Sequence, residues 1–129
     1  MATIMILENE DHLRRLYAEE LELELEGYQV LAGGHDDEAL RMLQRLAVDL
    51  VIVELMTDDG NGFEWLQKII ALRRHVKIII NTPYAEFKQD FRCWCADEFV
   101  VKSAELSELK TAVQKQLSGA ADTVSARKI

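Results

Sequence analysis

Long hydrophobic runs are missing from this 129-residue sequence. The longest apolar stretches are of strand length, far short of the roughly 20 residues that a membrane-crossing helix needs. No charged segment followed by an apolar one opens the chain, so no signal peptide is read and the expected location is cytoplasmic. Basic residues are in the minority: 15 Lys and Arg stand against 23 Asp and Glu, a formal net charge of −8. A phosphate backbone wants the opposite sign, which argues against nucleic acid as a direct partner. Much of the acid lies in EELELELEG (residues 19–27), most simply a solvated helix end. Cysteine is scarce, and Cys93 and Cys95 in RCWCAD have neither the C-x-x-C redox spacing nor a second ligand pair for zinc. Both read as reduced thiols, at least one of them packed. His12, His35 and His75 lie on separate helices or loops without a paired base or acid and read as surface residues.

What is present is a regular alternation of short apolar runs and helical patterns. TIMIL (3–7) reads as a strand, and Leu13, Leu16, Tyr17 and Leu21 recur at helical spacing over about 10–26, closed by Gly27. YQVLA (28–32) is a second strand, after which Asp36 or Asp37 caps a helix with Ala39, Leu40, Leu43 and Leu46 inward. DLVIVEL (49–55) is the third strand and residues 58–62 its loop; a helix follows over 62–73. VKIIIN (76–81) is the fourth strand, broken at Thr82-Pro83. A weaker helix using Phe87 and Phe91 is expected over 85–95, then EFVV (98–101) as the fifth strand. A last helix over 104–117 has Ser103 as its cap. Residues 1–118 thus form the domain, and 119–129 a short tail expected to fray.

Strands each followed by a helix require crossover connections, hence a parallel sheet covered on both faces. The nearly all-apolar middle strands fit that burial. The fold class is therefore α/β, a doubly wound five-stranded parallel sheet of flavodoxin-like order 2-1-3-4-5. No G-x-G-x-x-G or G-x-x-x-x-G-K-[ST] follows any strand, which leaves phosphate-cradling nucleotide sites without support.

In such sheets ligands bind beyond the carboxyl ends of the strands. Glu8 and Asn9 follow strand 1, Glu54 follows strand 3, Thr82 follows strand 4 and Lys102 ends strand 5. Carboxylates gathered at a low-dielectric rim repel unless a cation sits among them. Magnesium is one answer, since it accepts one or two carboxylates with water and phosphate oxygens. A hydroxyl at Thr82 and an ammonium at Lys102 suit an anionic phosphoryl group.

Over residues 3–117 this pattern resembles the response-regulator receiver domain, the phosphorylatable module of two-component signalling. IMILENEDHLRRL is similar to the family's first strand, acidic pair and first helix, with Glu8 and Asn9 at the pair. DLVIVELMTDDGNG resembles the stretch carrying the phospho-accepting aspartate, with Glu54 at that position. IIINT puts Thr82 at the switch hydroxyl, and ADEFVVKS puts Phe99 at the switch aromatic and Lys102 at the lysine. The resemblance implies a magnesium site formed by Glu8, Asn9, Glu54 and the backbone of Met56. It also implies partners: a sensor histidine kinase or a downstream signalling protein, or a second copy, meeting the face of helix 4, strand 5 and helix 5. The departures are Glu54 for aspartate, Asn9 for an acid, Asp58 and Ser103 for prolines, and a short stretch between Thr82 and Phe99. With Ser103 in that place a cis peptide after Lys102 is in question.

Alternatives stand beside each assignment. Glu54 accepts a phosphoryl, or mimics one in part, or pairs with Lys102 as a plain buried ion pair. Asn9 is a metal ligand or, more simply, the cap of the first helix. Thr82 is a switch or a turn hydroxyl, and Phe99 a switch or a core residue. The function expected is a stand-alone, receiver-like signalling domain whose switch is fixed or independent of phosphorylation, with a phospho-accepting regulator or a structural adaptor as alternatives. An enzyme is not expected: no second nucleophile or base joins the crevice and strand 1 lacks D-x-D. A flavodoxin-like cofactor binder is disfavoured because ENEDH after strand 1 has no Ser, Thr or Gly and repels phosphate.

Overall fold

The apolar runs pair side by side into a parallel sheet of order β2-β1-β3-β4-β5. The computed structural model describes residues 2–24, 27–57, 62–72 and 75–127. The elements in chain order are β1 (Thr3–Leu7), α1 (Asp11–Glu24), β2 (Gln29–Gly33), α2 (Asp37–Arg45), β3 (Leu50–Val53), α3 (Gly62–Leu72), β4 (Lys77–Thr82), β5 (Glu98–Val101) and α4 (Ser107–Arg127). The expected sheet and its strand order are what is found.

Alternation along the strands sends successive side chains to opposite faces and makes two cores. Ile4, Ile6, Leu50, Ile52, Ile79 and Val100 face α1 and α4, where Tyr17, Leu21, Leu109 and Val113 cover them. Met5, Leu7, Val51, Val53, Ile78 and Ile80 face α2 and α3, against Leu43, Trp65, Leu66 and Ile69. Each fully buried aliphatic side chain is worth about 1.5–3 kcal/mol, so β1 and β3, buried on both faces, anchor the sheet.

Capping follows chemistry more than position. Asp36 accepts the Ala39 N–H at 2.9 Å and caps α2. Asn9 does not cap α1. Glu10 does, taking the N–H groups of His12 at 3.1 Å and Leu13 at 3.0 Å. Ser103 does not cap the last helix either: its Oγ accepts the Glu105 N–H at 3.1 Å in a turn that precedes Ser107. That helix runs on as backbone to Arg127, beyond the boundary expected near residue 117. Residues 128–129 of the expected tail, like Asp58 in the loop after β3, lie outside the described residues.

The helix expected over 85–95 is replaced by two 3₁₀ turns, Ala85–Gln89 and Phe91–Cys95. Asp90 breaks them apart: its backbone is extended, and its carboxylate accepts the Arg92 N–H at 2.9 Å to start the second turn. Phe87 packs edge-on to Phe63, ring centroids 5.5 Å apart, and Arg92 lies 3.7 Å over the Phe63 ring. Phe91 and Trp94 point to solvent, so no continuous apolar stripe is available to stabilise an α-helix. Trp65, by contrast, is buried. Cys93 and Cys95 are free thiols, one buried and one exposed. Burial pushes the Cys93 thiol up to about 11 and raises that of Cys95. The described peptide bonds are all trans, that after Lys102 included.

Two glycines are set by geometry. Gly27, before β2, has φ of 89°, a region that side chains disfavour. Gly62 packs directly on the β3 exit, where an added Cβ would lie 1.5 Å from the Leu55 carbonyl oxygen. Gly62→Ala is therefore expected to lower stability by about 2–3 kcal/mol, read as a shifted urea midpoint at unchanged slope. An unaltered midpoint would mean that the loop yields without cost.

Candidate functional site

The site is built by strand parity. Glu8 follows Ile4 and Ile6, Glu54 follows Leu50 and Ile52, and Lys102 follows Val100, all on the side that faces α1 and α4. The ladder runs one residue past each strand and fixes these side chains. The Glu8 N–H donates to the Gly33 carbonyl at 3.0 Å, that of Glu54 to Leu7 at 3.0 Å, and that of Lys102 to Thr82 at 2.9 Å. Three residues distant in sequence therefore meet at one rim.

There the Lys102 ammonium lies between two carboxylates. Its Nζ is 2.7 Å from Glu54 Oε1 and also pairs with Glu8 Oε1. All three side chains are largely removed from water, 13% exposed for Lys102, 6% for Glu8 and 5% for Glu54. The outer oxygens are engaged as well. Glu54 Oε2 accepts the N–H groups of Leu55 at 2.6 Å and Met56 at 3.1 Å, and Glu8 Oε2 that of Glu10 at 3.2 Å. Burial pushes the Lys102 pKa down, but the hydrogen bonds and charges of Glu54 and Glu8 outweigh it and hold the ammonium above its ordinary 10.5.

The other expected residues are distributed differently. Asn9 Oδ1 accepts the His35 N–H at 2.8 Å, tying the β2–α2 turn to the end of β1. Gly34 permits that approach, since a Cβ there would sit 2.9 Å from Asn9 Oδ1. Met56 contributes its backbone N–H to Glu54 while its side chain is exposed. Thr82 is fully buried, and among the described residues its Oγ1 has no hydrogen-bond partner. Thr82 follows Ile78 and Ile80 in the alternation, and Phe99 packs against that same α2–α3 core. Neither belongs to the charged triad.

Sequence reasoning missed two contributors. His35 is not a plain surface residue: its Nε2 lies 2.7 Å from the Glu54 carbonyl oxygen, and its ring stands edge-on to Trp65 at 5.4 Å. A carbonyl only accepts, so Nε2 carries the proton. No spacing rule predicts that contact, although Gly33-Gly34 before His35 marks the turn that allows it. The second is the pair of Tyr17 and Asn81, both buried near the triad; burial raises the Tyr17 pKa. A lone Asn in the apolar run KIIINT was its available signal.

The residues that would hold magnesium are Glu8, Asn9, Glu54 and Met56 through its backbone. Their side-chain oxygens are already engaged. All four carboxylate oxygens accept from protein groups, Asn9 Oδ1 is turned to His35, and an ammonium sits between the acids. Among the described residues no group of three His, Cys, Asp or Glu is arranged for a metal. Magnesium demands near-octahedral oxygen ligation, and this donor set does not fit it.

A family model of the response regulator receiver domain matches residues 4–114. The chain belongs to the receiver-domain family. It is 28% identical over 89 residues to the response regulator protein VraR of Staphylococcus epidermidis, covering 67% of this chain and 43% of VraR. It therefore spans less than half the length of that relative. It is 27% identical over 94 residues to sporulation initiation phosphotransferase F of Bacillus subtilis, covering 71% of this chain and 76% of the relative. Among solved structures, the response regulator TrrA of Thermotoga maritima in complex with Mg(2+)-BeF is 34% identical with a TM-score of 0.81, over 90% of this receiver and 99% of TrrA. TrrA in complex with the histidine kinase ThkA is 35% identical with a TM-score of 0.81, over 91% and 99%. Among the described residues no helix is long and apolar enough to cross a membrane.

Lys102→Met leaves two buried carboxylates facing each other without a counter-charge, and a loss of about 3–5 kcal/mol is expected. The folded lysine holds its proton more tightly than the unfolded one, so its contribution is complete below pH 10.5 and fades as pH rises through the raised folded value. Denaturation midpoints of the wild type should fall along that alkaline limb, and those of Lys102→Met should lack this component.

Proposed function

We propose that this receiver is a protein–protein signalling domain whose switch is set by the Glu54–Lys102 contact and does not depend on phosphorylation, a pseudo-receiver. The observation that carries the reading is the 2.7 Å ion pair of Lys102 with Glu54, the residue that the resemblance assigns to the phospho-acceptor position. The longer glutamate brings its charge to the lysine without any added group. It supplies a single negative charge where a phosphoryl group brings about −1.5 to −2 with three acceptor oxygens. Glu54 therefore holds Lys102 in place but cannot fill the remaining space of a phosphoryl. Both of its oxygens are committed to protein donors, which lowers its reactivity as a nucleophile.

The partner is a sensor histidine kinase or a downstream signalling protein in the cytoplasm, where the two thiols stay reduced. The complex of TrrA with ThkA supports the first. The surface proposed is the face formed by the two 3₁₀ turns, β5 and α4, with a second copy of the chain as the alternative occupant. Phe99 on β5 relays the state of the crevice to that face. A population shift between two arrangements then follows partner binding, to the extent that the partner prefers one of them.

One observation favours a second reading, in which Glu54 does accept a phosphoryl. The buried Thr82 hydroxyl has no partner among the described residues, and a phosphoryl oxygen would satisfy it. Intact-mass measurement after incubation with magnesium and a small phosphodonor separates the two. The wild type is expected to stay at its unmodified mass, while Glu54→Asp, with its carboxylate withdrawn from Lys102, gains one phosphoryl group. A stable adduct on Glu54 of the wild type would overturn the fixed-switch reading.

A further inference from the structure

We propose that Lys102 is the resident cation of the acidic crevice and that this receiver takes up no divalent ion there. The inference deepens the fixed-switch reading and rests on the same triad, but it concerns metal occupancy alone. Three observations converge on it. The facing oxygens, Glu8 Oε1 and Glu54 Oε1, both point at Nζ, so an entering ion must first displace the ammonium. The averted oxygens are held by backbone N–H groups of Glu10, Leu55 and Met56, so neither carboxylate can turn without breaking a hydrogen bond. A neutral oxygen donor beside them, Asn9 Oδ1, accepts from His35, and His35 in turn donates to the Glu54 carbonyl.

Charge makes the same point. Two carboxylates and one ammonium leave a formal −1 in a site largely removed from water, and a divalent ion added beside the ammonium would face its repulsion at close range. A divalent ion replacing it would have to expel the lysine, whose stem is packed at the rim. The expelled ammonium would lose both of its partners. Magnesium also sheds its water reluctantly, and no free carboxylate edge is offered in return. The crevice is thus closed by its own cation, and the assembly of β1, β3 and β5 at this rim does not vary with metal supply.

The test uses the whole chain, without any phosphodonor, so its result is independent of whether Glu54 can be phosphorylated. Manganese serves as a paramagnetic probe while amide resonances are followed by NMR. In the wild type, the Glu54, Leu55 and Met56 amides are expected to keep their linewidths at about millimolar manganese. In Lys102→Met they should broaden selectively, because removal of the ammonium leaves an acid pair that binds the ion. Added magnesium should then raise the thermal midpoint of the variant by several degrees through linkage and leave that of the wild type unmoved. Selective broadening at Glu54–Met56 in the wild type overturns the proposal, whether or not Lys102→Met folds.

Discussion

A single ammonium shared by two carboxylates at the edge of a hydrophobic sheet constrains everything around it. An unpaired charge that deep costs several kcal/mol, and the penalty is offset only when geometry is tight and the remaining lone pairs are occupied. Each neighbouring feature supplies part of that tightness. The ladder bonds fix where Glu8, Glu54 and Lys102 begin. Backbone N–H groups take the outer oxygens. Gly62 lets the chain turn back against Leu55, and His35 pins the Glu54 carbonyl from the other side. The triad links β1, β3 and β5, strands that are not all neighbours, and so closes the rim in a way that ladder hydrogen bonds alone do not.

The fold was legible because its signals are periodic. Period-2 alternation in TIMIL, LVIV and KIIINT with helical spacing between them leaves a parallel doubly wound sheet as the economical solution, and strand parity then brings Glu8, Glu54 and Lys102 together. The ion pair of Glu54 with Lys102 was legible for the same reason. What sequence could not give were contacts decided by competition between equivalent groups. Asn9 is an excellent cap in isolation, yet Glu10 is one residue closer to the helix and wins that role, which frees Asn9 for the His35 N–H. His35 has no sequence partner because its partner is a carbonyl, and every residue has one. The 85–95 segment misled for a different reason: Phe87 and Phe91 have helical spacing, but Asp90 between them offers its carboxylate to the next turn and splits the helix.

For signalling, the consequence lies in where bistability can come from. A switch driven by phosphorylation needs an acceptor oxygen that is free to react and a hydroxyl and a lysine that move when charge arrives. Here the lysine is already engaged. Among the described residues the Thr82 hydroxyl has no hydrogen-bond partner, and it lies on the other side of the sheet's alternation from the triad. On the fixed-switch reading, whatever shifts this receiver acts through differential contacts on its surface, since a ligand moves an equilibrium only by its preference for one state. The two 3₁₀ turns are suited to that. They are held by ring contacts to Phe63 and by the buried Cys93, and they leave Phe91 and Trp94 facing solvent.

On the proposed fixed-switch reading, the two departures that the resemblance assigns to the crevice are chemically coupled. With an acid at position 9, three carboxylates would crowd the rim, and one lysine could not neutralise them; a divalent ion would be needed. Asn9 removes that third charge. Glu54 then adds the methylene that carries its oxygen to Lys102, so a monovalent side chain suffices where a metal would otherwise be required. Either change alone leaves a poorer site: an acid at 9 restores the repulsion, and an aspartate at 54 withdraws its oxygen from the ammonium. On that reading Glu54 and Asn9 act together, and the sheet's own lysine takes over the neutralising role.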